Sequence, residues 1–297
     1  ARSAPTYGRW ISWIVVLVIG ANFLWLVATN PNFEWKVVLQ WLTEGSVMKG
    51  LQVTLGLTVV SMILGTLLGL LLAVWRLSEN KLLSGLSSLY IWFFRGTPLL
   101  VQLIFWYNLS TLFPSIAITV PWTDITFASW NTNDLITPLT AAIAGLALNE
   151  AAYMAEIIRA GLLSVDHGQV ETTQAFGMSR SRALRRIIIP QAMRSIIPPT
   201  GNQLISMIKA TSLVSVIAMG DLLYSVQAVY NRTFEIIPML MVAVIWYLFI
   251  TSILNVGQSA IERYYARGTK RTVVVNKRRA GSEEQNMTGT PRLKEDL

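Results

Sequence analysis

Six apolar stretches separated by short polar segments set the pattern of this chain. Residues 10–28 (Trp10 to Ala28) are uncharged and match the roughly 20 residues a helix needs to cross a bilayer. A cleaved secretory signal is the competing reading. Its apolar centre would be shorter and end at a small-residue cleavage site, so the run is read as a retained helix. Runs over 50–75, 86–113, 135–160, 196–219 and 234–258 are read as five more spans, with Pro198-Pro199 opening the fifth. Gly56, Gly65 and Gly69 give the second span small-residue faces for close helix packing. Residues 30–49 mix Pro31, Glu34, Lys36, Glu44 and Lys49 with aromatics and read as a short interfacial segment. The stretches 114–134 and 220–233 read as external segments, and the polar stretch 269–297 as a disordered basic tail. The expected fold class is all-α: a polytopic integral membrane protein of about six transmembrane helices.

Composition agrees. The chain is 53% hydrophobic and only 13% charged, with a mean hydropathy of +0.49, against roughly 25% charged residues in a soluble domain. Without cysteine there are no disulfides or thiolate metal sites, and the lone His167 argues against histidine-based metal chemistry or a His-dependent triad. The net charge of +8 records membrane orientation, not a nucleic-acid partner. Nineteen Lys and Arg fall in segments that the apolar pattern puts on one side. Lys36, Lys49 and Arg232 are the three on the other, and Arg95 and Lys209 lie within spans. By the positive-inside bias, both termini and the central loop are cytoplasmic.

That central loop reads as helix, break, helix, stop. Val165 to Phe176 are mostly good helix formers, and Gly177 supplies a left-handed helix end. Ser179 or Ser181 then caps a second helix over Arg182–Ile189, closed by Pro190. The spacing of Glu171, Gly177, Ile187 and Pro190 resembles the cytoplasmic "EAA loop" of permease subunits of ATP-binding-cassette (ABC) importers. Here the two alanines are Thr172 and Thr173, and the usual Leu before the proline is Ile189. Glu150-Ala-Ala lies inside an apolar span, lacks a glycine at the right distance and is not this loop. Most of 50–268 resembles the polar amino acid branch of these permeases, the histidine, glutamate, glutamine and arginine type. The matching pieces are Arg95-Gly-Thr-Pro-Leu-Leu-Val-Gln102, Tyr153-Met-Ala-Glu-Ile-Ile-Arg159, Gly168-Gln-Val-Glu171, Lys209-Ala-Thr-Ser-Leu213 and Glu262-Arg263.

The resemblance implies a permease domain over 50–268 with a coupling loop at 164–194, preceded by an accessory helix and segment (1–49) and followed by the tail (269–297). It implies a non-catalytic subunit of the cell membrane that imports polar amino acids by alternating access. A cytoplasmic ABC ATPase dimer would dock at Glu171, Thr172, Thr173, Ala175, Gly177, Ile187 and Pro190. The other implied partners are a second permease subunit, identical or related, an extracytoplasmic amino-acid-binding protein and membrane lipid. No Gly-x4-Gly-Lys-Ser/Thr loop occurs, so no cofactor is expected in this chain; ATP and Mg belong to the ATPase.

Charges inside spans are costly and ask for an explanation. Glu150 lies in the fourth span beside Asn149, with Arg95 in the third and Lys209 in the fifth. One reading pairs them with each other or with broken helices. The other makes them a polar cavity for a zwitterion, together with Asn149, Thr97, Gln102 and Thr211: an acid for the ammonium, a base or helix N-termini for the carboxylate. Glu156 and Arg159, three apart, read as an ion pair on one helix face. A stand-alone secondary transporter or channel for small polar solutes is the alternative function. It would need inverted repeats or a coupling-ion carboxylate array, neither of which is found.

Overall fold

The computed structural model of the protein describes residues 7–120 and 125–266. The predicted tail, 269–297, lies outside them. Helix α1 (Tyr7–Thr29) is apolar all round and touches little else. A 3-10 turn (Pro31–Phe33) leads into α2 (Trp35–Trp41). The predicted interfacial segment is therefore folded onto the bundle. Val38 is buried, the Trp35 Nε1 donates to the Val27 carbonyl at 3.2 Å, and Trp246 Nε1 donates to the Leu42 carbonyl at 2.8 Å. Helix α3 (Gly45–Arg76) is capped by Glu44, whose carboxylate accepts from the Ser46 backbone N–H at 2.6 Å and from its hydroxyl. Those bonds favour the ionised form and hold Glu44 below the ordinary carboxylate range.

The third predicted span is two helices, α4 (Lys81–Gly96) and α5 (Leu99–Tyr107), bent by 102°. After the short α6 (Leu109–Leu112), the predicted external stretch forms an antiparallel hairpin, β1 (Ser115–Thr119) with β2 (Thr126–Asn131), registering Ile116 with Trp130. Among the described residues, the rest of the chain is helical apart from the connecting turns. Helix α7 (Thr132–Leu135) leads to α8 (Pro138–Leu163), started by a capping box between Thr137 and Thr140 with Pro138 at its first position.

The central loop carries α9 (His167–Ala175), capped by the Asp166 carboxylate. Beyond Gly177 come α10 (Arg180–Ala183), a π turn (Leu184–Ile188) and α11 (Ile189–Ala210) as one continuous path. Here the sequence reading needs correction: Pro190 does not end a helix, and Pro198-Pro199 lie inside α11. Proline clashes with the carbonyl four residues back, and the wide turn at 184–188 makes room for that at Pro190. Gln258 of the last helix donates from Nε2 to the Pro198 carbonyl at 2.7 Å, through the space that Gly201 leaves free, and so ties that helix to α11. A 3-10 segment (Thr211–Ile217) then leads to α12 (Leu222–Thr233) and α13 (Ile236–Ala266).

The stretch 220–233, read as external, is mostly α12, with Leu222, Val226 and Val229 in the core shared with α2, α3 and α13. Asp221 is fully buried at its N-cap, accepting from Leu223 N at 3.1 Å and Tyr224 N at 2.9 Å. The centre of the molecule is the α3–α8 seam. A Cβ at Gly65 would stand 2.8 Å from Glu150 Cβ, and one at Gly69 would stand 2.7 Å from Met154 Cβ. Only glycine lets the two backbones approach so closely, the small-residue packing the pattern predicts.

Candidate functional site

One polar network in the middle of the bundle starts from the break between α4 and α5. Pro98 has no N–H to give the Phe94 carbonyl four residues earlier, so that acceptor needs donors from elsewhere. Two side chains supply them. Gln102 Nε2 donates to the Phe94 carbonyl at 3.0 Å, the Thr97 carbonyl at 3.1 Å and Thr97 Oγ1 at 2.7 Å. From α8, Asn149 Nδ2 donates to the same Phe94 carbonyl at 3.0 Å and to Gln102 Oε1 at 3.3 Å. Thr97, Gln102 and Asn149 thus come together as a clamp that fixes the kink against α8.

One residue further along α8, Glu150 is 4% exposed beneath Gly65. Each carboxylate oxygen accepts from Gln203 Nε2 of α11 at 3.3 Å. Among the described residues the one ion pair is Arg159–Glu156, at 2.8 Å, the i,i+3 pair the spacing predicts. Glu150 therefore has no cation beside it, and the mutual pairing with Arg95 or Lys209 does not occur. Instead Glu150 lines a cavity of about 270 Å³ with Asn149, Tyr153, Gln203, Ser206 and an apolar wall of Leu99, Leu146, Met207 and Ala210. This cavity contains one acid and no base.

The other predicted cavity residues lie elsewhere. Thr97 and Gln102 belong to the clamp. Thr211 is buried, its hydroxyl donating to the Ile208 carbonyl at 2.7 Å. Lys209 is exposed on α11. Arg95, also exposed, stacks on Tyr153 with its guanidinium carbon 5.4 Å from the ring centroid. It borders a neighbouring cavity of about 360 Å³ that includes Glu156, Ser195 and Pro199. Gln203, Ser206 and Tyr153 are site residues that sequence reasoning missed as such. Only Ser206 had a signal, and a faint one: Ser195, Asn202, Ser206 and Lys209 recur at helical spacing, and all four are exposed along one face of α11. A polar stripe on a membrane helix has no favourable contact with lipid.

The central loop agrees more closely with the sequence reading. Gly177 has φ +64°, with its N–H bonded to the Gln174 carbonyl and Met178 N bonded to the Thr173 carbonyl. This is a left-handed cap closing α9. The two threonines both fit. Thr173 is buried with its hydroxyl donating to the Val170 carbonyl at 2.7 Å, and Thr172 is exposed, donating to the Gly168 carbonyl at 2.6 Å. Glu171, Ala175 and Phe176 face outward, Phe176 at 81% exposure. Ile187 is half-buried within the π turn and Pro190 is exposed in the first turn of α11.

Residues 65–267 match the family model of the binding-protein-dependent transport system inner membrane component. The arginine transport system permease protein ArgU of Corynebacterium glutamicum is 44% identical over 269 residues, covering 90% of this chain and 83% of the relative. The probable amino-acid permease protein YxeN of Bacillus subtilis is 39% identical over 239 residues, covering 78% of this chain and 96% of the relative. Among solved structures, an amino acid ABC transporter with histidines superposes with a TM-score of 0.61 at 34% identity, over 82% of this chain and 98% of its own. An inward-facing MetNI methionine ABC transporter shares the fold, with a TM-score of 0.56 at 19% identity over 77% of this chain and 98% of its own.

Proposed function

This chain belongs to the family of binding-protein-dependent transport system inner membrane components, and we propose that its polar α8–α11 face is the path of a cationic amino acid. It is a multi-pass cell-membrane protein and the permease component of an amino acid ABC importer. The observation that carries the proposal is Glu150: a carboxylate in a small cavity, with an amide beside it but no cation. A buried acid is tolerated in a membrane when a partner or water relieves it. Here the relieving cation is the solute's own. A cavity with one acid and no base favours a solute carrying an extra positive charge, in keeping with the arginine in the name of the 44% identical relative.

The exposed stripe Ser195–Asn202–Ser206–Lys209 supports a second permease subunit, identical or related, closing the path from the other side. With both termini and α9 in the cytoplasm, a pair of ABC ATPases docks there through Glu171, Thr172, Ala175 and Gly177, with Ile187 and Pro190 behind them, and binds ATP and Mg. Buried Thr173 holds α9 to its own chain. An extracytoplasmic amino-acid-binding protein delivers the solute. Closure of the ATPases moves α9 as a rigid lever, and α8 and α11 follow because α9 lies between them in the chain, followed by α10 and the π turn that run on into α11. The chain itself performs no chemistry. A stand-alone transporter has no observation in its favour.

The test is substrate-stimulated ATPase activity of the reconstituted importer across an amino acid panel. Basic amino acids are expected to stimulate most. Equal stimulation by neutral or acidic ones would refute the assignment of a cationic solute.

A further inference from the structure

The two neighbouring cavities share one wall, Tyr153. It stands three residues after Glu150, on the same face of α8 and about 4.5 Å further along the axis. Arg95 stacks on its ring at a distance where a cation is attracted to an aromatic face. With the Glu150 cavity as the path, as proposed above, we propose that Tyr153, latched by Arg95, is the inner gate of that path.

The surroundings fit a latch with two positions. Arg95 is the penultimate residue of α4, immediately before the break that Gln102 and Asn149 clamp. Asn149 also lines the Glu150 cavity. A shift of α8 at the solute site therefore reaches the α4 end that carries Arg95. Glu156, already paired with Arg159, borders the same inner cavity as Arg95, so a guanidinium leaving the ring has an acid to share. While Arg95 stays on Tyr153, a positive charge lies beside the wall between the two cavities and opposes passage of cations in either direction.

The absence of cysteine makes access measurable without a solute. The assembled, nucleotide-free importer would be treated from the cytoplasmic side with an impermeant thiol reagent. Ser206→Cys reports on the Glu150 cavity and Ser195→Cys on the inner one. Ser195→Cys is expected to label quickly in every background. Ser206→Cys should label slowly alone, about tenfold faster with Tyr153→Ala, less than tenfold faster with Arg95→Gln, and at its original rate with Tyr153→Phe, which keeps the ring. Should Tyr153→Ala fail to assemble, the Arg95→Gln rate decides. Equal Ser206→Cys rates in all backgrounds overturn the gate, as does a slow Ser195→Cys. Labelling reads access alone. A Glu150→Gln importer with intact solute affinity but the expected labelling pattern would refute the solute site and leave a gated cavity of another purpose.

Discussion

Helices α1 and α8 are both long enough to cross a membrane, and α1 is the more apolar of the two. Yet α1 buries none of its most apolar window, whereas α8 buries most of its own. The difference lies in small residues and in polar ones. Helix α8 presents Ala141, Ala142, Ala147, Ala151, Ala152 and Ala155 to its neighbours, and Gly65 and Gly69 of α3 bring the two backbones together. Its Asn149 and Glu150 then have amide partners on α5 and α11. On α1, Gly8 and Gly20 face open space. In a bilayer, apolarity selects what crosses, and close contact selects what packs.

The strongest way to break that contrast is to crowd the seam. Gly69→Leu sets a side chain against Met154 and the Ala151 carbonyl, which stands 2.9 Å from the added Cβ. It should cost about 3 kcal/mol or more and be seen as a large fall in the Tm of the purified importer. Gly20→Leu should leave the Tm unchanged. Equal behaviour of the two variants would refute the seam.

Next in size is the clamp. Gln102→Leu removes a donor to Phe94 while Asn149 keeps its own, so a loss near 1–2 kcal/mol is expected by thermal melting. A Tm equal to that of the parent would mean that Asn149 alone satisfies the kink. Gly177→Val comes third. Nothing lies within 4 Å of an added Cβ, so the cost is the left-handed backbone alone, about 1–2 kcal/mol. Uptake should fall with membrane insertion intact, and normal uptake would count against α9 as the lever. The smallest effect belongs to removing residues 1–29. Near its end the Val27 carbonyl of α1 accepts from Trp35, and the most apolar window of α1 buries nothing, so the stability change should stay under about 1 kcal/mol.

Spans were legible because a bilayer demands long apolar runs, and Gly177 was legible because few residues accept positive φ. Prolines were not. Pro98 breaks a span while Pro190, Pro198 and Pro199 sit within a continuous helical path. Sequence shows where a backbone donor is lost but not how the fold answers it: at Pro98 Asn149 comes from α8 to the Phe94 carbonyl, and at Pro190 the π turn over 184–188 widens the path. The α12 helix was hidden by its polar composition, though Gly220-Asp221 before an apolar residue is a helix-start signal. The hairpin carries alternation at Ser115–Thr119, which a reading of 114–134 as an external segment leaves unused. Within the site, Glu150 could be found as an acid in a span. Gln203 could not, because 53 residues separate it from Glu150 and only the packing of α11 on α8 brings it near.

The central claim is that Glu150 waits for a cation supplied by the solute. Glu150→Gln tests it, since the amide keeps the shape and removes the charge. The Tm of the solute-free importer and the affinity for L-arginine would be measured together. The account predicts a Tm within a degree or two of the parent and an affinity at least about tenfold weaker, as loss of a charge-assisted contact implies. A fall equivalent to about 3–5 kcal/mol, the cost of stranding a buried partner charge, with affinity unchanged would contradict it.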